Sequence, residues 1–144
     1  MHTVDIYVRY CETDAGGHVN NTSYFLYFEE ARTKFFNAIG YGPKKRSLNF
    51  IVAQTTCDFL TQAYAGQMIT VTSKVSRVGT KSYTMTHEIR NSETGQSIAT
   101  GSAVIVCFNF EEQKTKVIPN ELRSTLEANM ETANQKEQST WTLQ

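Results

Sequence analysis

The sequence has few cysteines, no net charge and no long apolar run, and each of these absences excludes a class of protein. Its three cysteines, Cys11, Cys57 and Cys107, are widely spaced. An odd count without a C-x-x-C pair argues against a disulfide framework and a zinc knuckle. The formal net charge is zero, which argues against broad electrostatic binding to nucleic acid or to anionic membranes.

No stretch approaches the roughly 18 apolar residues that a membrane span needs. Residues 1–5 also lack the apolar core of a secretory signal. We therefore expect a protein without a membrane partner, located in a reducing cytoplasm.

What is present fits one globular domain. The chain has 144 residues, of which 40% are hydrophobic and 19% charged, a composition typical of a folded protein rather than a disordered one. Residues 134–144 are polar and carry one large side chain, Trp141. We predict a domain over residues 1–133, followed by a polar tail over residues 134–144.

The sequence predicts five strands: the first, third and fourth alternate apolar and polar residues, the second is mixed, and the fifth is nearly continuous apolar sequence, as in a central strand. They cover residues 3–10, 49–61, 67–78, 82–90 and 98–110. The turn at Gly79 and Thr80 is typical of a hairpin, and residues 91–95 form a second turn.

A long helix is predicted over residues 22–40. Its apolar residues follow the 4-3-4-3 spacing of one helix face, namely Tyr24, Phe28, Ala31, Phe35 and Ala38. A side-chain oxygen from residues 20–22 can cap its start, and Gly40 suits its end. Pro119 suits the first position of a short C-terminal helix that carries Leu122, Leu126 and Met130.

The predicted order is strand, long helix, four antiparallel strands and short helix. One apolar sheet face needs a covering layer, and the long helix can supply it. The sequence therefore predicts a two-layer α+β fold.

Three chemically active side chains, Glu12, Asp14 and His18, crowd the loop before the long helix. They can cap turns, as such residues commonly do, or bind a cation. In the third interpretation a carboxylate is a base or nucleophile, and amides at the helix start stabilise an oxyanion. Gly16 and Gly17 favour the third interpretation, because glycines let a ligand approach the backbone.

Two other residues invite a catalytic interpretation. Cys11 is a possible nucleophile, but nearby carboxylates disfavour a thiolate, so we expect a buried or interfacial residue. His87 shares a strand face with Tyr83, Met85 and Ile89, so we expect a packed histidine.

Basic residues also cluster at 44–46, and again at Arg77 and Lys81. These clusters are either solvated loop charge or local patches for an anionic ligand.

The segment over residues 8–21, VRYCETDAGGHVNN, and its continuation through Tyr24 to FEEAR over residues 28–32, resemble the signature of the 4-hydroxybenzoyl-CoA thioesterase family. The resemblance extends more loosely through three later segments and covers the chain to about residue 120. Those segments are residues 64–67, residues 77–82 and residues 99–101.

This resemblance implies a hot-dog fold, in which a five-stranded antiparallel sheet wraps around the long helix. It also implies homodimers, often paired into homotetramers, with active sites at the subunit interface. Asp14 matches the family's catalytic Asp, and Asn21 matches the residue whose backbone N–H polarises the thioester carbonyl. Some relatives carry His at the position of Asn21.

We therefore predict an acyl-CoA thioesterase, a hydrolase that uses Asp14 and Asn21 without a cofactor or a metal. The predicted substrate contacts are Gly17, His18, Tyr24, Arg77, Lys81 and Ser82. Two rival functions remain open. One is a hot-dog hydratase or dehydratase that uses Asp14 with His18, and the other is a non-catalytic module that binds acyl-CoA or acyl-carrier protein.

Overall fold

A computed structural model describes residues 1–42 and 49–130 of the chain. The predicted order of strands and helices is confirmed within these ranges. Two short elements were not predicted, a 3-10 turn and a sixth strand. The elements are β1 (His2–Tyr7), the 3-10 turn (Tyr10–Glu12), α1 (Asn21–Ala38), β2 (Asn49–Phe59), β3 (Met68–Val78), β4 (Ser82–Asn91), β5 (Ser97–Asn109), β6 (Lys114–Thr115) and α2 (Asn120–Ala128).

The five predicted strands form one antiparallel sheet in the order β1-β3-β4-β5-β2, and the two-residue β6 pairs with β5. β1 and β2 are the edge strands of this order. The α+β class and the antiparallel five-stranded core of the sheet are therefore confirmed. The predicted tail and the basic residues at 44–46 lie outside the described residues.

Helix α1 packs its apolar stripe on the inner face of the sheet. Tyr24, Phe28, Ala31 and Phe35 are buried, as the 4-3-4-3 spacing predicts. Ala38 is exposed, so its place on this face was predicted wrongly. The helix ends at this residue, and the side chain of the following residue, Ile39, packs against the core instead.

The core consists of two apolar clusters along α1. One lies under the start of the helix and includes Tyr24 and Phe28, and the other lies under its end and includes Phe35. The buried polar side chains Arg32, Ser73 and His87 belong to neither cluster. The helix therefore covers a mainly apolar interior that contains a few polar groups.

Most element boundaries differ from the predictions by one to three residues, and two of these differences have a visible cause. β1 ends at Tyr7 rather than at Tyr10, because the chain turns into the 3-10 turn, whose start is closed by Glu12. α2 begins at Asn120, which makes Pro119 the N-cap rather than the first helical residue. Among residues 1–42 and 49–130, no helix is long and apolar enough to cross a membrane.

Candidate active site

The loop between β1 and α1 is braced by Glu12. Its carboxylate accepts hydrogen bonds from the Arg9 backbone N–H at 2.8 Å and from the Tyr27 hydroxyl at 3.2 Å. The Glu12 carbonyl also accepts from the Asn20 amide at 2.9 Å and from the Ser23 hydroxyl at 2.9 Å. Glu12 therefore joins the 3-10 turn to the first turns of the helix, which is a structural role.

The Asp14 carboxylate contacts two groups of its own loop. Oδ1 accepts from the Gly16 amide at 2.9 Å, and Oδ2 lies 3.0 Å from Nδ1 of His18. An ionised carboxylate only accepts hydrogen bonds, so the second contact requires a proton on Nδ1. The Asp14 side chain is still 39% exposed. Each of its oxygens can accept a second hydrogen bond, so the carboxylate can still contact a substrate or a water molecule.

Gly17 forms the turn that brings His18 back to Asp14. Its amide donates to the Asp14 carbonyl at 3.0 Å, and its φ of +84° lies in the left-handed region that favours glycine. The Asp14 amide in turn donates to the His18 carbonyl at 2.8 Å. The turn is thus closed from both sides and fixes the Asp14–His18 pair.

The start of α1 presents Asn21 to solvent. Asn20 caps the helix, since its Oδ1 accepts from the Thr22 amide at 3.0 Å and its carbonyl accepts from the Ser23 amide at 2.9 Å. In the part of the chain that the structure describes, no group accepts from the Asn21 amide. An amide at a helix N-terminus carries partial positive charge, so this N–H can bind an oxyanion.

Tyr24, a predicted substrate contact, is a core residue beneath the loop. It is only 2% exposed, and its ring meets Phe59 edge to face at 5.2 Å. Burial raises the pKa of its hydroxyl, and a hydrogen bond to the Ala63 backbone partly offsets that effect.

Arg77, Lys81 and Ser82 lie far from Asp14 within one protomer. The loop that carries Asp14 borders the Met68 end of β3, where Met68 pairs with Tyr7. Arg77 is nine residues further along β3, which is about 30 Å at the usual rise of a strand. Lys81 and Ser82 follow in the β3–β4 hairpin. A single protomer therefore does not bring these residues together with Asp14.

Tyr64 contacts His18 of the candidate site, although no pattern in the sequence indicated a role for it there. It forms an isolated antiparallel bridge with His18, and the two rings meet at 6.1 Å with an interplanar angle of 69°. Tyr64 follows β2 and is exposed, so no apolar periodicity marks it. The only sequence signal was the turn over residues 64–67.

The other candidate groups have different environments. Cys11 is exposed, so its predicted burial is wrong, because the 3-10 turn that carries it has no buried residue. Its place at an interface stays a prediction. His87 is packed as predicted, with its ring stacked on Phe28 at 5.1 Å and its Nδ1 atom 2.7 Å from the Ser73 hydroxyl. Within residues 1–42 and 49–130, no group of three or more His, Cys, Asp or Glu side chains could hold a metal ion.

Comparison with known proteins gives a match to the family model described as the Thioesterase-like superfamily over residues 8–126. The chain is 33% identical to YsmA of Bacillus subtilis over 119 residues, which are 83% of this chain and 80% of that protein. It is 28% identical over 124 residues to the long-chain acyl-CoA thioesterase FadM of Escherichia coli, covering 85% and 94% of the two chains.

Solved structures give the same result for the fold. The structure of a predicted thioesterase from Bacillus stearothermophilus superposes with a TM-score of 0.81 and 31% identity. The match covers 91% of this chain and 97% of that one. The predicted hot-dog fold is therefore confirmed.

Proposed function

The chain belongs to the Thioesterase-like superfamily, and from that premise we propose that it hydrolyses acyl-CoA thioesters to the free acid and CoA. One observation carries the proposal. The part-exposed carboxylate of Asp14 and the Asn21 amide, which has no acceptor within residues 1–42 and 49–130, belong to one short segment that leads into helix α1. Thioester hydrolysis uses a base or nucleophile, which the Asp14 carboxylate supplies, and a hydrogen-bond donor to the oxyanion, which the Asn21 amide supplies.

In the proposed reaction, the thioester oxygen accepts a hydrogen bond from the Asn21 amide. This donor strengthens as the carbonyl oxygen becomes an oxyanion, and one such donor is worth about 3 kcal/mol of the barrier. Either an Asp14 oxygen attacks the carbonyl carbon, or Asp14 takes a proton from an attacking water.

Both routes end in the same products. In the first route the C–S bond breaks as the Asp14 oxygen bonds to carbon, CoA leaves as a thiolate, and water hydrolyses the resulting mixed anhydride. In the second route the hydroxide formed from water bonds to carbon, and the C–S bond breaks in turn. His18 holds the Asp14 carboxylate through Nδ1 in either case.

The coenzyme requires positive charge, which we propose comes from Arg77 and Lys81 of a partner subunit, with Ser82 beside them. β2 is an edge strand, and such an edge is a template for pairing with another chain. The Asn49 end of β2 lies opposite Phe108, at the end of the sheet that carries the β3–β4 hairpin; this is called the hairpin end. The Phe59 end of β2 lies opposite Ala99, at the other end of the sheet. Twofold antiparallel pairing of two β2 strands would set one protomer's hairpin end beside its partner's catalytic loop, which is the loop of residues 8–20 between β1 and α1.

The proposed enzyme is thus at least a homodimer, and we extend the proposal to a homotetramer in the cytoplasm. The proposed substrates are acyl-CoA thioesters as a class. The name of FadM indicates a long chain for that relative. Phe25, which is partly buried and packs against the core near the helix start, supplies apolar surface there.

The test is release of free thiol from short, long, branched and aromatic acyl-CoAs by the full chain. The Asp14→Asn variant should lose about 10²- to 10⁴-fold in turnover, the range for a positioned acid or base, while it keeps its fold and oligomeric state. Asp5→Asn is the matched control, because Asp5 is an exposed carboxylate of β1 that accepts from Thr70. Near-normal turnover by Asp14→Asn would remove Asp14 from the mechanism.

The Asp14–His18 hydrogen bond also supports a second candidate, a hydratase or dehydratase that uses a carboxylate with a histidine. Hydration of crotonyl-CoA without thiol release would favour this candidate. CoA binding with neither reaction, and with Asp14 dispensable, would favour the non-catalytic module instead.

A further inference from the structure

We propose that Tyr64 is a positioning residue of the candidate active site and acts on Asp14 through the imidazole ring of His18. The inference rests on the proposed function, in which Asp14 meets the thioester. It gives a role to the turn over residues 64–67, which the mechanism above does not use.

Tyr64 begins a tight turn that is closed by three independent features. The Gln67 amide donates to the Tyr64 carbonyl at 3.2 Å, and the Tyr64 amide donates to Oε1 of Gln67 at 2.9 Å. Gly66, the third residue of the turn, has a φ of +87°. A type II turn requires positive φ at this position and so favours glycine there. The Tyr64 backbone is therefore fixed relative to its own loop.

The same turn is tied to the strand that leads into the catalytic loop. The Gly66 amide donates to the Val8 carbonyl at 2.8 Å, and the Val8 amide donates to the Gln67 carbonyl at 2.9 Å. On the other side of the catalytic loop, the Val19 amide donates to the Ala63 carbonyl at 2.8 Å. Both ends of the catalytic loop are thus bonded to the segment that carries Tyr64.

The His18 ring is bounded by three groups. Nδ1 meets the Asp14 carboxylate at 3.0 Å, and the Tyr64 ring meets the imidazole edge to face. Gly16 lies so close that a Cβ built there would be 3.0 Å from both Cε1 and Nε2 of His18. The ring therefore has little room to turn while Tyr64 is in place. Without Tyr64, the ring can leave Asp14, and the carboxylate loses the partner that orients its Oδ2 atom.

The rings of Tyr64 and His18 pack against each other without a hydrogen bond between them. In the part of the chain that the structure describes, the Tyr64 hydroxyl makes no hydrogen bond. Tyr64 is 47% exposed, so packing in the core does not explain the position of its side chain. A phenylalanine should therefore replace tyrosine, whereas a small side chain should not.

The experiment is a double-mutant cycle on the full chain. Tyr64→Ala and Tyr64→Phe are each made in the wild-type and in the His18→Gln background, and kcat and KM are measured by thiol release. We expect Tyr64→Ala to lower kcat about three- to tenfold, the scale of one aromatic contact, with KM unchanged and with Tyr64→Phe near wild type. In the His18→Gln background, Tyr64→Ala should have no further effect.

Tyr10→Ala is the matched control, since Tyr10 is an exposed tyrosine of the loop that carries His18, at 84% exposure. It should leave kcat unchanged. If Tyr64→Ala unfolds, Tyr64→Leu replaces it. A raised KM, an equal loss in the His18→Gln background, or failure of phenylalanine to rescue would each overturn the proposal, because they indicate direct substrate contact or a general structural role.

A readout without turnover separates this inference from the proposed function. The ¹⁵N shifts of the His18 ring report which nitrogen carries the proton. We expect Nδ1–H to dominate in the wild type and in Tyr64→Phe, and a mixture of tautomers in Tyr64→Ala. Unchanged shifts in Tyr64→Ala would overturn the positioning role even if Asp14→Asn is inactive. Changed shifts in a chain that releases no thiol would overturn the proposed function alone.

Discussion

The ring of Phe28 lies against the backbone of Gly101, in the space that any side chain at position 101 would need. A Cβ built on Gly101 would lie 2.7 Å from Cζ of Phe28 and 2.6 Å from the Thr56 carbonyl oxygen. The first neighbour belongs to a fully buried ring and the second to the backbone of the adjacent strand. Neither can move away easily.

Gly101→Ala should therefore destabilise the fold by about 1–3 kcal/mol, the usual cost of overpacking a core. Urea unfolding followed by fluorescence or circular dichroism measures this free energy. Thr100→Ala is the control, because Thr100 is the preceding residue of β5 and points to the other face of the sheet. An equal stability of wild type and Gly101→Ala would mean that the helix is not held at this distance.

The sequence could predict the contact of α1 with the sheet but not the closeness of that contact. The spacing of Tyr24, Phe28 and Phe35 defines a helix face, and the nearly continuous apolar sequence over residues 98–110 indicates a central strand. Which residue of one element meets which residue of the other depends on the position of the helix along the sheet. Periodicity has no information on that position.

The candidate site, too, could be predicted from the sequence only in part. The sequence predicted that Asp14 and Asn21 belong to one segment, because the loop and the helix start are contiguous. It could not predict the His18–Tyr64 contact, which joins residues 46 positions apart across a loop without periodicity. The burial of Arg32 was also missed, since its position on α1 is set by the helix orientation and not by its charge.

Gly16→Ala should lower turnover with little effect on stability. The new Cβ would lie 3.0 Å from two atoms of the His18 ring and 3.3 Å from Oδ1 of Asp14, so the ring must shift by a few tenths of an ångström. We expect a loss in kcat of about tenfold, since small misplacements of catalytic groups are costly. Ala15→Ser, at the exposed neighbouring position, is the control in the same thiol-release assay. Full activity of Gly16→Ala would show that the His18 position is not critical.

Arg77→Ala and Lys81→Ala should raise KM for acyl-CoA by a few-fold each and leave kcat unchanged. Both side chains are exposed, so the lost attraction to phosphate is of the order of a surface ion pair, about 1 kcal/mol or less. The effect should weaken at high salt. The decisive comparison is an acyl-pantetheine thioester, which lacks the nucleotide phosphates. If the variants impair the pantetheine substrate equally, these residues do not bind the nucleotide.

His87 should make the stability of the fold depend on pH. Burial, reinforced by the positive charge of Arg32, lowers the pKa of His87 from its ordinary value of 6.5 to about 3. Between these two values, the unfolded chain binds a proton that the folded chain does not. The folded state therefore loses stability as pH falls from 6.5 towards 3, by up to about 1.4 kcal/mol per pH unit from this one group.

Urea unfolding of the wild type and of His87→Gln, measured from pH 4 to pH 7, tests this expectation. Glutamine is neutral over the whole range and can still bond to the Ser73 hydroxyl, so its variant should be less stable at pH 7 but less sensitive to acid. All other titratable groups are common to both proteins, so the difference between the two curves isolates His87. Parallel curves would mean that His87 is protonated in the folded state, which would contradict its enclosure between Phe28 and the sheet.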